Sequence, residues 1–133
     1  MKNENGFSLV ELLIAITLLA IGLLAVAGMQ STAINYNAWA NRLSTATSLA
    51  QEVMEDFLAR DSTDAIFQTD APAATYDFDL NTSATSIDIT GAGTFTATYN
   101  IDADAPATNV ATITVTVTGG SRTVTLVSYK RAI

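Results

Sequence analysis

The sequence predicts an α+β fold in which one long N-terminal helix is followed by a small antiparallel sheet. Apolar residues recur with helical spacing up to about Arg60, and neither Gly nor Pro occurs between Gly28 and Pro72. Beyond Asp61 the pattern changes to strict alternation, which is typical of half-buried strands. The length of 133 residues allows one small domain with an appendage, and only 14 % of the residues are charged.

The composition argues against catalysis. The chain has 13 acidic and 6 basic side chains, no His and no Cys. It therefore lacks a disulfide framework, a thiol nucleophile, the commonest general base and the commonest metal ligands. The formal charge of −7 opposes binding to nucleic-acid phosphates. We expect no enzyme activity, no cofactor and no metal.

The first half of the predicted helix is apolar on all sides. Residues 7–29, FSLVELLIAITLLAIGLLAVAGM, contain a single charged side chain, Glu11. As a helix this run is about 35 Å long at ~1.5 Å per residue, enough to cross a ~30 Å hydrocarbon core. A secretory signal peptide is one interpretation, because Ala25-Val26-Ala27 has the small-x-small form of a cleavage site. However, residues 1–6 carry one Lys and one Glu, and hence no net positive side-chain charge.

A plain membrane anchor is a second interpretation of the apolar run. It accounts for the length and hydrophobicity but not for Glu11, since a charge in a spanning helix costs about 2.5–3.5 kcal/mol on insertion scales.

The third interpretation comes from the order of residues around Glu11. Gly6-Phe7-Ser8-Leu9-Val10-Glu11, followed by the apolar run, resembles the start of a type IV prepilin. The resemblance implies cleavage after Gly6, N-methylation of the new terminal Phe7, and a docking role for Phe7 and Glu11. Residues 18–34, LLAIGLLAVAGMQSTAI, resemble PilV-type minor pilins. The likeness covers about the first quarter of the chain.

The resemblance implies an architecture and a function. The architecture is a pilin-like ladle with a leader (residues 1–6), a transmembrane and filament-core half-helix (7–29), an amphipathic half-helix (30–60) and a β-rich head (61–133). The function is that of a minor pilin, held in the bacterial inner membrane with its head in the periplasm and then incorporated into an extracellular pilus. The implied partners are prepilin peptidase, an inner-membrane assembly platform, and other pilin subunits through the N-terminal helix.

Three alternatives remain at this stage. One is a pseudopilin of a type II secretion system, and another is a major pilin. The third is a membrane-anchored adhesive or sensor domain that never polymerises.

The docking role of Glu11 also follows from elementary chemistry. A helix that begins at Phe7 starts with a free amine and four unpaired backbone N–H groups. Glu11 lies one turn further, so its carboxylate reaches either its own helix start or the amine of a neighbouring copy. Pairing with a neighbour replaces a costly unpaired charge with an ion pair, and it stabilises only the axial offset between the two helices at which the pair can form. The alternative is an unpaired or protonated glutamate that snorkels to the membrane interface.

The second half of the helix is predicted to be amphipathic. Its apolar residues step by three and four, and the opposite face is polar. These residues form one apolar stripe along the helix. A coiled-coil partner could pack against this stripe, but we favour the sheet that follows, because the sheet otherwise lacks a second layer. The predicted helix–head packing residues are Tyr36, Trp39, Leu43, Ala46, Ala50, Val53 and Phe57.

The remainder is predicted to form a loop and about four antiparallel strands. The loop follows Asp61 and contains Pro72, and Gly119-Gly120 is a hairpin signal. The strands carry apolar residues on one face and mainly threonine on the other. The alternating runs fall at residues 76–80, 85–90, 94–101, 112–118 and 123–129.

Two short acidic motifs, Asp77-Phe78-Asp79 and Asp102-Ala103-Asp104, superficially suggest calcium ligands. Neither has the spacing or glycine of an EF-hand loop. We therefore interpret these aspartates as solvated surface charge.

Overall fold

The computed structural model describes residues 8–79 and 83–132 and has the predicted α+β architecture. A single helix, α1 (Leu9–Ala59), precedes a short 3₁₀ helix (Ala65–Phe67) and five strands. The strands are β1 (Ala71–Thr75), β2 (Ile87–Ile89), β3 (Gly93–Asp102), β4 (Val110–Gly119) and β5 (Arg122–Arg131). The chain divides into two compact units, Met1–Ala38 and Trp39–Ile133, and the boundary falls inside α1.

All strand pairs in the sheet are antiparallel. The order is β1-β3-β4-β5, and β2 pairs with β3. β3 pairs with β4 from Phe95 opposite Gly119 to Asp102 opposite Thr112. β4 and β5 form a hairpin closed by two residues, of which Gly120 has φ +61°. The predicted hairpin is thus present, displaced by one residue, and glycine suits the left-handed conformation at its turn.

The first strand lies earlier than the sequence predicts. Residues 76–79 are not a strand, and Leu80 lies outside the described residues. β1 instead occupies Ala71–Thr75, in the segment interpreted as loop, and contains Pro72. The pairing of β1 with β3 is irregular between Ala71 and Ala74. Proline is compatible with an edge strand at such an irregularity, because no ladder hydrogen bond from its nitrogen is needed there.

The core of the head lies between the last part of α1 and one face of the sheet. β4 shows the expected alternation from Ala111 onward, with its apolar residues buried and its threonines half-buried on the other face. Ile101, Ile113, Val115 and Val117 are fully shielded from solvent. From the helix the core receives Ala46, Leu49, Ala50, Val53, Met54 and Phe57. Since α1 covers this face of the sheet, the helix is the second layer that the sheet needs.

The buried stripe of α1 is shorter than predicted. Ala46, Ala50, Val53 and Phe57 are buried, and Leu43 is half-buried. Trp39 is 40 % exposed and meets the head through Arg122 of β5, whose guanidinium lies over its ring at 5.2 Å. Tyr36 is 67 % exposed, so neither ring lies in the core. The buried part of the stripe begins at Ala46, and the apolar periodicity of α1 continues toward the N-terminus beyond the part that the sheet covers.

Candidate functional site

The start of α1 is built by Ser8 and Glu11. The Ser8 hydroxyl accepts a hydrogen bond from the Glu11 backbone N–H at 3.2 Å, and the Ser8 carbonyl accepts one from Leu12 N–H at 3.2 Å. Ser8 is therefore the N-cap, and Glu11 is the third helical residue. Serine followed three residues later by glutamate is the sequence signature of a capping box, which identifies this helix start from sequence alone. Gly6 and Phe7, the predicted cleavage and methylation residues, lie outside the described residues.

Glu11 lies on a helix surface that carries no other charge. Between Ser8 and Asn41 it is the only charged side chain. The two threonines Thr17 and Thr32 direct their hydroxyls to the carbonyls of Leu13 and Gly28, at 2.7 and 3.0 Å. The Glu11 carboxylate, by contrast, makes no hydrogen bond or ion pair with any residue that the structure describes. This carboxylate can therefore accept a partner from outside the chain.

The surface around Glu11 is apolar and exposed. α1 contains an 18-residue window of mean hydropathy 2.7 with none of it buried, so its length and composition suffice to cross a membrane. An exposed apolar surface of this extent requires lipid or other helices to cover it. The large exposed side chains are Leu9, Val10, Leu12, Leu13, Ile14, Ile16, Leu18, Leu19, Ile21, Leu23, Leu24, Val26 and Met29.

At the other end of α1, Lys130 satisfies the helix terminus. Its ammonium group donates to the carbonyls of Phe57 at 3.2 Å and Leu58 at 2.7 Å, and also to that of Arg60. These are carbonyls that a helix end leaves without an intrahelical partner. A cation also suits the negative end of the helix dipole. No sequence signal indicated this contact, since 73 positions separate Lys130 from Phe57.

A pocket lies beside the end of α1, at the β1 edge of the sheet. Its volume is about 310 Å³, and its lining combines aromatic rings with charged groups. Arg60 pairs with Asp56 at 3.1 Å and lies over the Phe57 ring at 5.0 Å. The lining residues are Asp56, Phe57, Arg60, Thr75, Tyr76, Asp77, Phe78 and Tyr99.

The charge and partial burial of this pocket affect the pKa of Tyr76. Partial burial, the negative charge of Asp56 and hydrogen bonding to Asp56 raise the pKa of the Tyr76 hydroxyl above its ordinary value. Tyr76 therefore stays neutral as a donor to Asp56 throughout the physiological range. The sequence placed residues 76–80 in a strand, and nothing in it indicated that Tyr76 meets Asp56.

Among the residues that the structure describes, no three acidic, histidine or cysteine side chains lie close enough together to hold an ion. The Asp77 carboxylate accepts the backbone N–H of Asp79 at 3.0 Å, and Asp102 accepts the amide of Asn100 at 3.2 Å.

Comparison with known proteins identifies the N-terminal segment. Residues 1–27 match the family model described as the prokaryotic N-terminal methylation motif. Neither a curated protein nor a solved structure matches the chain. The motif and the helix-on-sheet fold together indicate the class of type IV pilins and pseudopilins. The motif and the long apolar helix are consistent with a membrane-anchored pilin.

Proposed function

We propose that this protein is a minor pilin of a type IV pilus. It is held in the bacterial inner membrane by the first half of α1, cleaved after Gly6 by prepilin peptidase and methylated at Phe7. An inner-membrane assembly platform then transfers it into the filament, which it helps to initiate or modify. The observation that carries this proposal is the methylation motif over residues 1–27, followed directly by an exposed apolar helix.

The proposed cycle explains how an exposed apolar helix is kept from water. Lipid covers it before assembly, and the helices of neighbouring subunits cover it afterwards. Glu11 makes the second state specific, because its carboxylate pairs with the methylated amine of Phe7 in the adjacent subunit. In this role the protein acts by assembly and is not an enzyme.

Mass spectrometry of the N-terminus tests the proposal. Protein extracted from membranes should begin at Phe7 and carry one methyl group on its amine. A Gly6→Leu variant should retain Met1, because it alters the cleavage position itself. An Ala27→Leu variant should be processed normally, although it removes the small residue that a signal peptidase would need.

Two results would contradict the proposal. A mature chain that begins at Gly28 would assign the apolar run to ordinary secretion. An intact Met1 in cells that process other prepilins would leave a simple membrane anchor.

The minor rather than major role rests on the resemblance of residues 18–34 to PilV-type minor pilins. Quantitative proteomics of sheared filaments tests it. A minor subunit should be present at a small fraction of the principal subunit, and equal or greater abundance would make this chain the major pilin. Recovery with a type II secretion apparatus, and absence from pili, would favour a pseudopilin.

A further inference from the structure

Two arginines lie where α1 enters the head. The Arg122 guanidinium lies over the Trp39 ring at 5.2 Å. The Arg42 Nη1 atom lies 4.0 Å from the position that a Cβ atom of Gly120 would take, so it lies beside the turn that precedes Arg122. Trp39, Arg42 and Arg122 together form a surface that we call the basic patch.

Both guanidinium groups of the basic patch are available to an external anion. Arg42 and Arg122 are exposed, and neither forms an ion pair with a residue that the structure describes. Stacking on Trp39 occupies the face of the Arg122 guanidinium and leaves the N–H donors along its edge free. Such donors bind phosphate through charge-assisted and often bidentate hydrogen bonds. The basic patch therefore suits phosphate groups.

Acidic side chains are concentrated away from the basic patch. Residues 39–51 of α1 and the whole β4–β5 hairpin, which supply the patch, contain no Asp or Glu. Asp88 lies on β2, which pairs with the start of β3 at the same end of the sheet. The other acidic residues of the head fall at residues 52–79 and 102–104. An anionic surface is therefore attracted by the patch and repelled by most of the remaining head.

The spacing of charges along α1 places the basic patch at a membrane surface. No charged residue occurs between Glu11 and Arg42, which are 31 positions apart on one helix. This separation measures about 46 Å at ~1.5 Å per residue, and a bilayer with its headgroups is ~40–45 Å thick. With Glu11 at the cytoplasmic surface, Arg42 falls at the headgroups of the periplasmic leaflet. Trp39 falls in the same interfacial layer, where tryptophan is enriched.

We propose that the basic patch docks the head on the periplasmic surface of the membrane, with Arg42 and Arg122 bound to the phosphates of anionic phospholipids and Trp39 in the interfacial layer. The inference rests on the proposed function, because it needs the first half of α1 to span the inner membrane. A contact with lipid requires no second copy of this chain, which suits a subunit of low abundance. The contact belongs to the state before assembly and is lost when the subunit enters the filament.

Quenching of a single attached fluorophore tests which end of the head faces the bilayer. The chain contains no Cys, so the fluorophore is attached to one introduced thiol. Ser121→Cys lies in the turn beside the basic patch. Thr108→Cys lies at the other end of β4, whose ten residues span about 33 Å at ~3.3 Å per residue. Both positions are exposed, and neither substitution changes a charge.

The labelled full chain is reconstituted, at high dilution, into vesicles of phosphatidylcholine and phosphatidylglycerol that contain a lipid with a spin-labelled headgroup. At this dilution the chains do not meet, so quenching reports contact with lipid. We expect strong quenching of the label at Ser121→Cys and weak quenching at Thr108→Cys. Quenching at Ser121→Cys should fall in phosphatidylcholine vesicles, and also in 1 M salt, because the Debye length is then about 3 Å.

Charge reversal tests the arginines themselves. Arg42→Glu should lower the ratio of docked to undocked heads at least about fivefold, because each basic residue near an anionic surface contributes about that factor. Arg122→Glu should act in the same direction. Arg131→Glu is the matched control, since it makes the same charge change at the opposite end of β5, and it should leave the quenching unchanged.

Three results would overturn the docking proposal. They are equal quenching at the two label positions, quenching that does not respond to Arg42→Glu or to phosphatidylglycerol, and loss of quenching when inorganic phosphate is added at constant ionic strength. The last result would assign the basic patch to a free anion rather than to the membrane.

Flotation of the vesicles separates this inference from the proposed function. A chain that does not float with the vesicles would contradict both, because neither holds without insertion of α1. A chain that floats, and that carries a methylated Phe7 when isolated from cells, but shows no charge-dependent quenching would retain the pilin function and lose only the docking.

Discussion

At the scale of single residues, Glu11 is the side chain that we propose links the apolar helix to assembly. Glu11→Leu removes the only charge from the first half of α1, so membrane insertion becomes easier. Removing one member of a buried ion pair typically costs about 3–5 kcal/mol, which exceeds that gain. We expect the variant to be abundant in membranes and cleaved after Gly6, yet scarce in sheared filaments when both fractions are compared by immunoblot.

Glu11→Asp is the matched control for charge. It keeps the carboxylate on a shorter side chain, so incorporation should lie between those of the wild type and Glu11→Leu. Equal incorporation of Glu11→Leu and the wild type would show that the carboxylate is not the docking group.

Gly119 is a residue whose lack of a side chain the core requires. It lies opposite Phe95, and a Cβ atom at Gly119 would come within 2.2 Å of two Phe95 ring carbons. Phe95 is 1 % exposed and has little space to move. Gly119→Ala should therefore lower the free energy of unfolding by about 1–3 kcal/mol, as overpacking does, measured by denaturant titration of Trp39 fluorescence.

The double variant isolates this clash. Phe95→Leu removes the ring, so combining it with Gly119→Ala should cost less than the sum of the two single changes. If the losses of unfolding free energy were strictly additive, the effect of Gly119→Ala would not arise from a clash with the Phe95 ring.

At the scale of elements, Lys130 joins β5 to the end of α1. Its ammonium group serves the carbonyls of Phe57, Leu58 and Arg60. Lys130→Met keeps an apolar stem of similar length but removes the donors. Hydrogen bonds to a charged group each contribute about 1.5–3 kcal/mol, reduced at partly exposed sites, and we expect a loss of about 1–2 kcal/mol in unfolding free energy.

The neighbouring Arg131→Met is the control for this loss. It removes the same charge from the same strand without a contact to α1, and it should change stability by less than about 0.5 kcal/mol. Equal effects of the two variants would mean that net charge, rather than the helix terminus, determines the result.

At the scale of the whole molecule, the helix and sheet of the head depend on one shared core. Six of the sixteen buried core residues described come from α1, and all lie between Ala46 and Phe57. A chain truncated to begin at Gln30 keeps all six and every strand, so it should be soluble and unfold cooperatively. A chain that begins at Asp61 loses them and uncovers residues such as Ile113 and Val115, so it should aggregate.

Light scattering measures aggregation of the two truncated chains, and circular dichroism measures their folding. A stable monomer from the chain that begins at Asp61 would mean that α1 is not needed as the second layer of the sheet.

Short-range pattern was sufficient to determine several features of this protein. Helical spacing and the absence of breakers predicted α1, and alternation placed β3, β4 and β5 nearly at their observed bounds. The N-terminal methylation motif was also predictable from sequence, because such a motif consists of consecutive residues. All of these depend on residues within a few positions of one another, which is the range over which periodicity and capping act.

Only the tertiary structure decided which of these residues meet. It placed β1 at Ala71–Thr75 because a partner in β3 was available there, despite Pro72. It left Tyr36 exposed and brought Lys130 to the end of α1. These outcomes depend on strand order, strand length and contacts between residues far apart in sequence. Local periodicity does not predict them, because it indicates which side of a helix or strand is buried but not which other element packs against that side.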